Sequence, residues 1–373
     1  MLGASCLVIY MIYDLRKIQE AGVANKTVLL RVDLDVPLAR GEISDDFRLI
    51  TSLETINYLL KQTKTVVIIG HLGRPEKEDK SLSLKVVAKW YANRLKGNLK
   101  EAEVKGFSGW EILPGLVLLE NLRFYKEEEE NDLDFSQKLA SLADIYVNDA
   151  FASSHRAHAS IVGSAKYLPS FAGLRLQKEV EVLSEILEKP KRPFCVIIGG
   201  AKIETKLPLV EKMHHFADYV LVGGEIAEND KVLLKVQHEK INPPAGGRKS
   251  ALLIADLTQN SKDITTKSAE NFVQIIQNAE TIVWNGPMGY INQKSKVKSQ
   301  KLKVGDEGYT SFLRAYGIIN SGAYTVVGGG DTVAFLKKND LLDKFSFVST
   351  GGGAMLEFLA GEKLPGIEVL VGE

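Results

Sequence analysis

Five basic side chains, Arg48, His71, Arg74, Arg123 and Arg156, stand out in the first half of a chain whose charges otherwise cancel. Each is flanked by turn-forming or strand-like sequence, Arg156 within a run from Asn148 to Ser160, so the set is expected to converge on one anionic ligand. The second half carries a different chemistry in Gly199-Gly200-Ala201-Lys202-Ile203-Glu204-Thr205-Lys206, Gly328-Gly329-Gly330-Asp331-Thr332 and Ser349-Thr350-Gly351-Gly352-Gly353. Glycine-rich turns that open helices bind phosphate. Lys202 and Lys206, four apart, share one face at a helix start and suit two neighbouring phosphates. Asp331 offers a hard oxygen to a Mg²⁺ that keeps several waters, or caps a helix beginning near Val333, and both readings hold at once. The amides of Ser349 to Gly353 suit an oxyanion or a phosphoryl group in transit. Two anion-binding halves point to phosphoryl transfer between two bound molecules.

The elements that position these residues are α/β. Short apolar runs rich in β-branched residues, such as Thr27 to Arg31, Thr65 to Ile69, Phe194 to Ile198 and Thr281 to Trp284, alternate with helical stretches and end at Gly, Asn or Asp. Buried parallel strands read this way, and ligands of such sheets sit beyond the strands' carboxyl ends, where these motifs fall. A length of 373 residues predicts two domains. The sequence places the boundary at an amphipathic helix over Leu174 to Glu188, stopped by Lys189-Pro190-Lys191-Arg192-Pro193. Glu127 to Glu130 reads as a solvated face or helix start.

Composition narrows the function classes. With 47 basic and 47 acidic residues, bulk binding to nucleic acid or membrane is disfavoured, although local basic pockets are not. Cys6 and Cys195 have no metal or redox spacing, which fits a reducing cytoplasm. The apolar run Met1 to Met11 is shorter than the ~20 residues of a membrane span, and we read Met11 as the natural start. Neither a P-loop nor protein-kinase motifs occur, and His155 and His158 lack the further ligands of a zinc site.

In their order, the motifs resemble phosphoglycerate kinase from Tyr13 to Leu370. The matching blocks are Arg31 to Leu38, His71 to Pro75, Leu119 to Phe124, Asn148 to Ser160, Lys189 to Lys206, Trp284 to Gly289, Gly328 to Thr332 and Val348 to Ala354. The resemblance implies two Rossmann-like domains with parallel sheets joined by a central helix and hinge. Residues 11–173 would bind 3-phosphoglycerate or 1,3-bisphosphoglycerate, 174–189 would form the helix, 190–358 would bind ADP or ATP with Mg²⁺, and 359–373 would return to the first domain. It implies a cytoplasmic monomer without nucleic-acid or membrane partners.

By position, the resemblance assigns the substrate to Asp33, Leu34, Asp35, Arg48, His71, Leu72, Gly73, Arg74, Arg123 and Arg156, with Arg48 at the transferring acyl phosphate. The nucleotide falls to Gly200, Ala201, Lys202, Lys206, Gly223, Gly224, Asn285, Pro287, Asn292, Gly329, Gly330, Asp331 and Thr332. Arg48, Lys202 and the amides of Gly351, Gly352 and Gly353 would be catalytic, and Asp331 would hold the metal.

Three places depart from the family pattern. Asp35 replaces an asparagine, and a carboxylate there would repel an anionic substrate unless it turns away or is protonated. The stretch after Gly223-Gly224 is altered from Glu225 and shortened, and Asn292 replaces a ribose-binding glutamate. Phosphoryl chemistry with loosened nucleoside recognition follows. These changes keep open a catalytically weak or regulatory binding protein, or a carboxylate kinase with altered nucleotide preference.

Overall fold

The computed structural model of the chain describes residues 14–200, 203–224, 226–227, 250–258, 263–289, 315 and 317–372. In chain order the strands are β1 Thr27–Arg31, β2 Leu38–Ala39, β3 Glu42–Ile43, β4 Thr65–Ile69, β5 Lys100–Val104, β6 Phe107–Leu113, β7 Leu116–Leu119, β8 Ile145–Asn148, β9 Ser170–Ala172, β10 Phe194–Ile198, β11 Tyr219–Val222, β12 Ala251–Ile254, β13 Thr281–Asn285, β14 Tyr324–Gly328 and β15 Phe347–Val348. They form one sheet ordered β5-β6-β7-β4-β1-β8-β9, a second ordered β12-β11-β10-β13-β14-β15, and the small hairpin β2-β3. The second sheet is parallel throughout. In the first, β7, β4, β1, β8 and β9 are parallel, while β5 and β6 add an antiparallel edge.

The central parallel strands are apolar through their middle residues because both faces are covered. In β1, Val28 and Leu30 enter one core cluster and Leu29 another; in β4, Val66 and Ile68 part from Val67 and Ile69 in the same way. The antiparallel edge was not legible as strand. Lys100, Glu101 and Glu103 make β5 look like a charged loop, the composition that protects an exposed edge from pairing with another chain.

The described chain divides into two compact units, one running to Glu181 and resuming at Lys363, the other spanning Val182–Glu362. The predicted helix is observed as Leu174–Glu188, so the division falls inside it. Its start is capped from outside: Asp149 Oδ1 accepts N–H from Arg175 at 2.8 Å and Leu176 at 3.2 Å. Burial pushes the Asp149 carboxyl up to about 7.

The chain end crosses back at Lys363 rather than at residue 359. Helix Gly352–Leu359 buries Met355, Leu356 and Leu359, and Lys212 pairs with Glu362, which keeps this stretch with the second unit. Beyond it, Gly366 N donates to Ser154 O at 2.8 Å, and Gly366 O accepts from Asn148 Nδ2 at 2.9 Å. The tail thus braces the loop that carries Arg156.

Candidate active site

At the carboxyl ends of β1, β4 and β8, the first unit gathers a basic cluster. Asn121 supplies much of its frame. Its Nδ2 donates to Leu72 O at 2.7 Å and Leu82 O at 2.9 Å, while its Oδ1 accepts from Leu72 N at 3.3 Å and Arg123 N at 3.1 Å. This one buried amide fixes the His71 loop against the turn holding Arg123, whose guanidinium also donates to Gly73 O and lies 2.8 Å from Glu129. Asp33, itself buried, accepts from Ala152 N and Ser153 Oγ, both at 2.8 Å, and so anchors the Arg156 loop. Arg156 Nε in turn donates to His155 Nε2 at 3.2 Å.

Asp35 does not turn away from this cluster. Its Oδ1 accepts from Gly73 N at 2.9 Å, and its backbone oxygen accepts from Arg48 Nη1. Its charge supports the protonated forms of Arg123 and Arg156. The arginines feel one another: burial and then Arg156 pull the Arg123 guanidinium down, and burial and then Arg74 pull down Arg156, although both remain charged. The histidines are neutral. Burial, followed by arginine charge, lowers His71 well below its ordinary value, His155 to about 4 and His158 to about 3. Arginines concentrated in this way, only partly offset by Asp35 and Glu129, suit a multiply charged anion.

Two residues assigned to the substrate by sequence direct their side chains into the core. Leu34 and Leu72 are fully buried in the core, and both backbone hydrogen-bonding groups of Leu72 are taken by Asn121. Sequence reasoning also missed two charged residues. Arg31, the last residue of β1, and Glu128 are both fully buried. The acidic run therefore does not form a simple solvated face: the short helix Lys126–Glu130 turns one of its four glutamates inward.

The second unit builds its candidate site from backbone. Gly199-Gly200, Gly223-Gly224, Gly286, Gly329 and Gly351-Gly352 follow β10, β11, β13, β14 and β15. Gly199 N donates to Asn285 O at 2.9 Å, Gly224 N to Met288 O at 2.8 Å, and Asn285 Nδ2 to Gly352 O at 2.8 Å. At Gly199 and Gly352 the turns pack too closely to admit a side chain. A Cβ on Gly199 would meet Pro287 O, and one on Gly352 would lie 2.8 Å from Gly329 Cα. Lys206 reaches back to donate to Gly199 O. A cavity of about 410 Å³ lined by Arg192, Pro193, Asp218, Tyr219 and Ala251 opens at the opposite, amino-terminal ends of β10, β11 and β12 and includes none of these residues.

Gly329, at φ 97°, turns the chain directly into helix Gly330–Lys338. The helix therefore begins earlier than Val333, and Asp331 lies exposed in its first turn rather than at its cap. Next to it, Thr332 Oγ1 is buried without a hydrogen-bond partner among the described residues, as a hydroxyl awaiting an external acceptor would be. Gly351 N is engaged, donating to Ser349 Oγ at 3.2 Å. The amides of Gly352 and Gly353 open helix Gly352–Leu359, where a helix has no internal acceptors for them. Ala201, Lys202, Glu225 and Asn292 lie outside the described residues.

A family model described as phosphoglycerate kinase matches residues 18–246 and 248–362. Relatives named phosphoglycerate kinase from Dictyoglomus turgidum and Finegoldia magna are 37% and 38% identical, covering 96% and 95% of this chain and 98% of each relative. A solved phosphoglycerate kinase structure from Coxiella burnetii aligns with a TM-score of 0.76 at 33% identity, and one from Pyrococcus horikoshii with 0.76 at 29%. Each covers 95% of this chain and 98% of its own.

Proposed function

The chain belongs to the phosphoglycerate kinase family, and from that premise we propose how its two sites divide the work. The reaction is reversible transfer of a phosphoryl group between 1,3-bisphosphoglycerate and ADP, giving 3-phosphoglycerate and ATP. The relatives support this kinase activity, not the binding-protein alternative. The observation that carries the division is the basic cluster, with Arg31, Arg74, Arg123 and Arg156 electrostatically linked around neutral His71.

In this reading Arg74, Arg123, Arg156 and His71 hold the stable phosphate and carboxylate, and Asp33 accepts from the substrate hydroxyl with lone pairs its loop contacts do not use. Arg48, tethered to the Asp35 carbonyl, faces the acyl phosphate. In the other unit Lys206 and the amides around Gly200 and Gly330 hold the nucleotide phosphates, and Thr332 Oγ1 gains an acceptor. Lys202 follows the phosphoryl group, and the amides of Gly352 and Gly353 stabilise its developing charge.

Asp331 fits Mg²⁺ as an exposed hard oxygen beside the Thr332 hydroxyl; among the described residues no group of three or more His, Cys, Asp or Glu is placed to cage a metal. When bound, the ion would neutralise charge on the nucleotide phosphates. Because a substrate carboxylate attacks directly, positioning and charge carry catalysis. The two ligands are assigned to separate units, so closure about the connecting helix that excludes water is part of the proposal. We place the protein in the cytoplasm as a monomer, with no nucleic-acid or membrane partner; among the described residues no helix is long and apolar enough to cross a membrane.

The deciding experiment is a coupled assay with 3-phosphoglycerate, Mg²⁺ and either ATP or GTP. Robust turnover is expected, and the ratio between nucleotides reports how the altered nucleoside region chooses. Folded protein inactive with both would overturn the reading. Lys202→Ala is expected to lower turnover at least ~100-fold, the scale of one lost transition-state contact.

A further inference from the structure

Behind the basic cluster runs a chain of buried hydrogen bonds whose direction is fixed by chemistry. Glu128 Oε2 accepts from Ser160 N at 2.9 Å, and its Oε1 accepts from Ser160 Oγ. A hydroxyl has one proton, so Ser160 Oγ, having donated it, accepts from Arg31 Nε at 3.0 Å. Arg31 also donates to Val32 O and, from Nη2, to His71 Nδ1 at 2.7 Å. A guanidinium can only donate, so Nδ1 of His71 must be the acceptor and the ring proton must sit on Nε2. Tyr146 OH donates to Ser160 O at 2.7 Å and holds the serine from a further side.

Burying Arg31 and Glu128 is costly, and well-packed apolar residues of similar volume often stabilise a fold as well or better. The pair stands directly behind His71, a residue assigned to the substrate. We propose that Glu128, acting through Ser160 and Arg31, is a positioning residue for phosphoglycerate: it locks His71 as a neutral ring that presents Nε2–H to the anion. This rests on the proposed kinase reading. It gives the site a hydrogen-bond donor that does not depend on histidine protonation.

Two effects of removing the Glu128 charge oppose each other, which makes the test decisive. A charge-only role would tighten anion binding in Glu128→Gln, because one negative charge leaves the cluster. A positioning role would weaken it, because Arg31 and then His71 lose their fixed direction. The variant keeps an oxygen acceptor and the side-chain volume, and Ser160→Ala cuts the same chain at another link.

Ring-¹⁵N NMR of ligand-free wild type, with the signal assigned by its loss in His71→Gln, should show a single Nε2–H tautomer from about pH 6 to 8. Both Glu128→Gln and Ser160→Ala should show mixed tautomers. Each should raise the KM for 3-phosphoglycerate about tenfold, the worth of one charge-assisted hydrogen bond, while the KM for ATP moves less than about twofold. An unchanged ring pattern in both folded variants, or tighter 3-phosphoglycerate binding in Glu128→Gln, would overturn the proposal. Lack of turnover in wild type would count against the kinase reading alone, since the ring spectra are taken without ligand.

Discussion

In the proposed reading the two candidate sites would hold anions by different means. In the first unit the proposed binding groups are side chains: arginines and neutral histidines aimed by Asn121, Asp33 and Asp35. In the second unit they are largely main-chain amides, brought together because glycines at the ends of five strands pack against one another. A side-chain site carries strong charge and can be changed one group at a time, but its buried ionisable groups tie it to pH. A backbone site carries partial charges that do not titrate, and it is sensitive to volume: one added methyl group must push a neighbouring turn away.

The strongest way to sharpen this contrast is Arg48→Ala. Arg48 is half-buried and donates to the Asp35 carbonyl, so its loss should lower turnover by at least ~100-fold with little effect on folding. Near-normal turnover would remove Arg48 from the acyl phosphate.

Acid should act on the side-chain site. His158 is buried and its folded pKa is depressed to about 3, so its contribution to stability is present above about 6.5 and is lost as pH falls toward 3. His155, depressed to about 4, adds in the same direction. Asp149 has the opposite sign: raised to about 7, it stabilises the fold fully below about 4 and loses that contribution as pH rises through 7. Comparing variants cancels the shared background. His158→Gln should gain ~2 kcal/mol relative to wild type between pH 6.5 and pH 5, read from urea unfolding at both. An equal response of both proteins would show that His158 titrates normally.

The same contrast explains what the sequence could disclose. Parallel strands were legible because two covered faces leave a largely apolar run, as in Val28 to Leu30 of the first strand and in Phe194–Ile198. Edge strand Lys100–Val104 was not, since half its face meets water. Basic residue type, flanking turn-forming or strand-like sequence and the family resemblance together marked Arg74, Arg123 and Arg156 as expected anion binders. No local signal could show that Glu128 points inward, because the partners that make its burial tolerable, Ser160 and Arg31, come from distant segments. The start of helix Gly330–Lys338 was missed for a conformational reason: the positive φ of Gly329 admits the helix at once, whereas the sequence reading placed the start three residues later.

Volume should disturb the backbone site alone. In Gly352→Ala the new Cβ would stand 2.8 Å from Gly329 Cα and 3.2 Å from Gly329 N, so one glycine turn must move away from the other. Displacing phosphate-binding amides by a few tenths of an ångström should raise the KM for ATP about tenfold and leave that for 3-phosphoglycerate unchanged. A matching rise for 3-phosphoglycerate would break the division of labour between the units.

The smallest expected effect, in Asp35→Asn, tests how the side-chain site tolerates a carboxylate among its arginines. An asparagine Oδ1 can keep the bond from Gly73 N, and the Asp35 carbonyl that receives Arg48 is unaffected by the change. The loop geometry should therefore survive. What changes is charge: one negative group that helps neutralise Arg123 and Arg156 is gone, leaving more field for the ligand. Partial exposure and solvent screening keep the gain modest, so 3-phosphoglycerate should bind about threefold more tightly at low salt, with the advantage fading as salt is added. A gain that persists in high salt would mean that the new amide contacts the ligand directly, and weaker binding would mean that the Asp35–Gly73 anchor depends on the carboxylate charge and shapes the site more than its repulsion does.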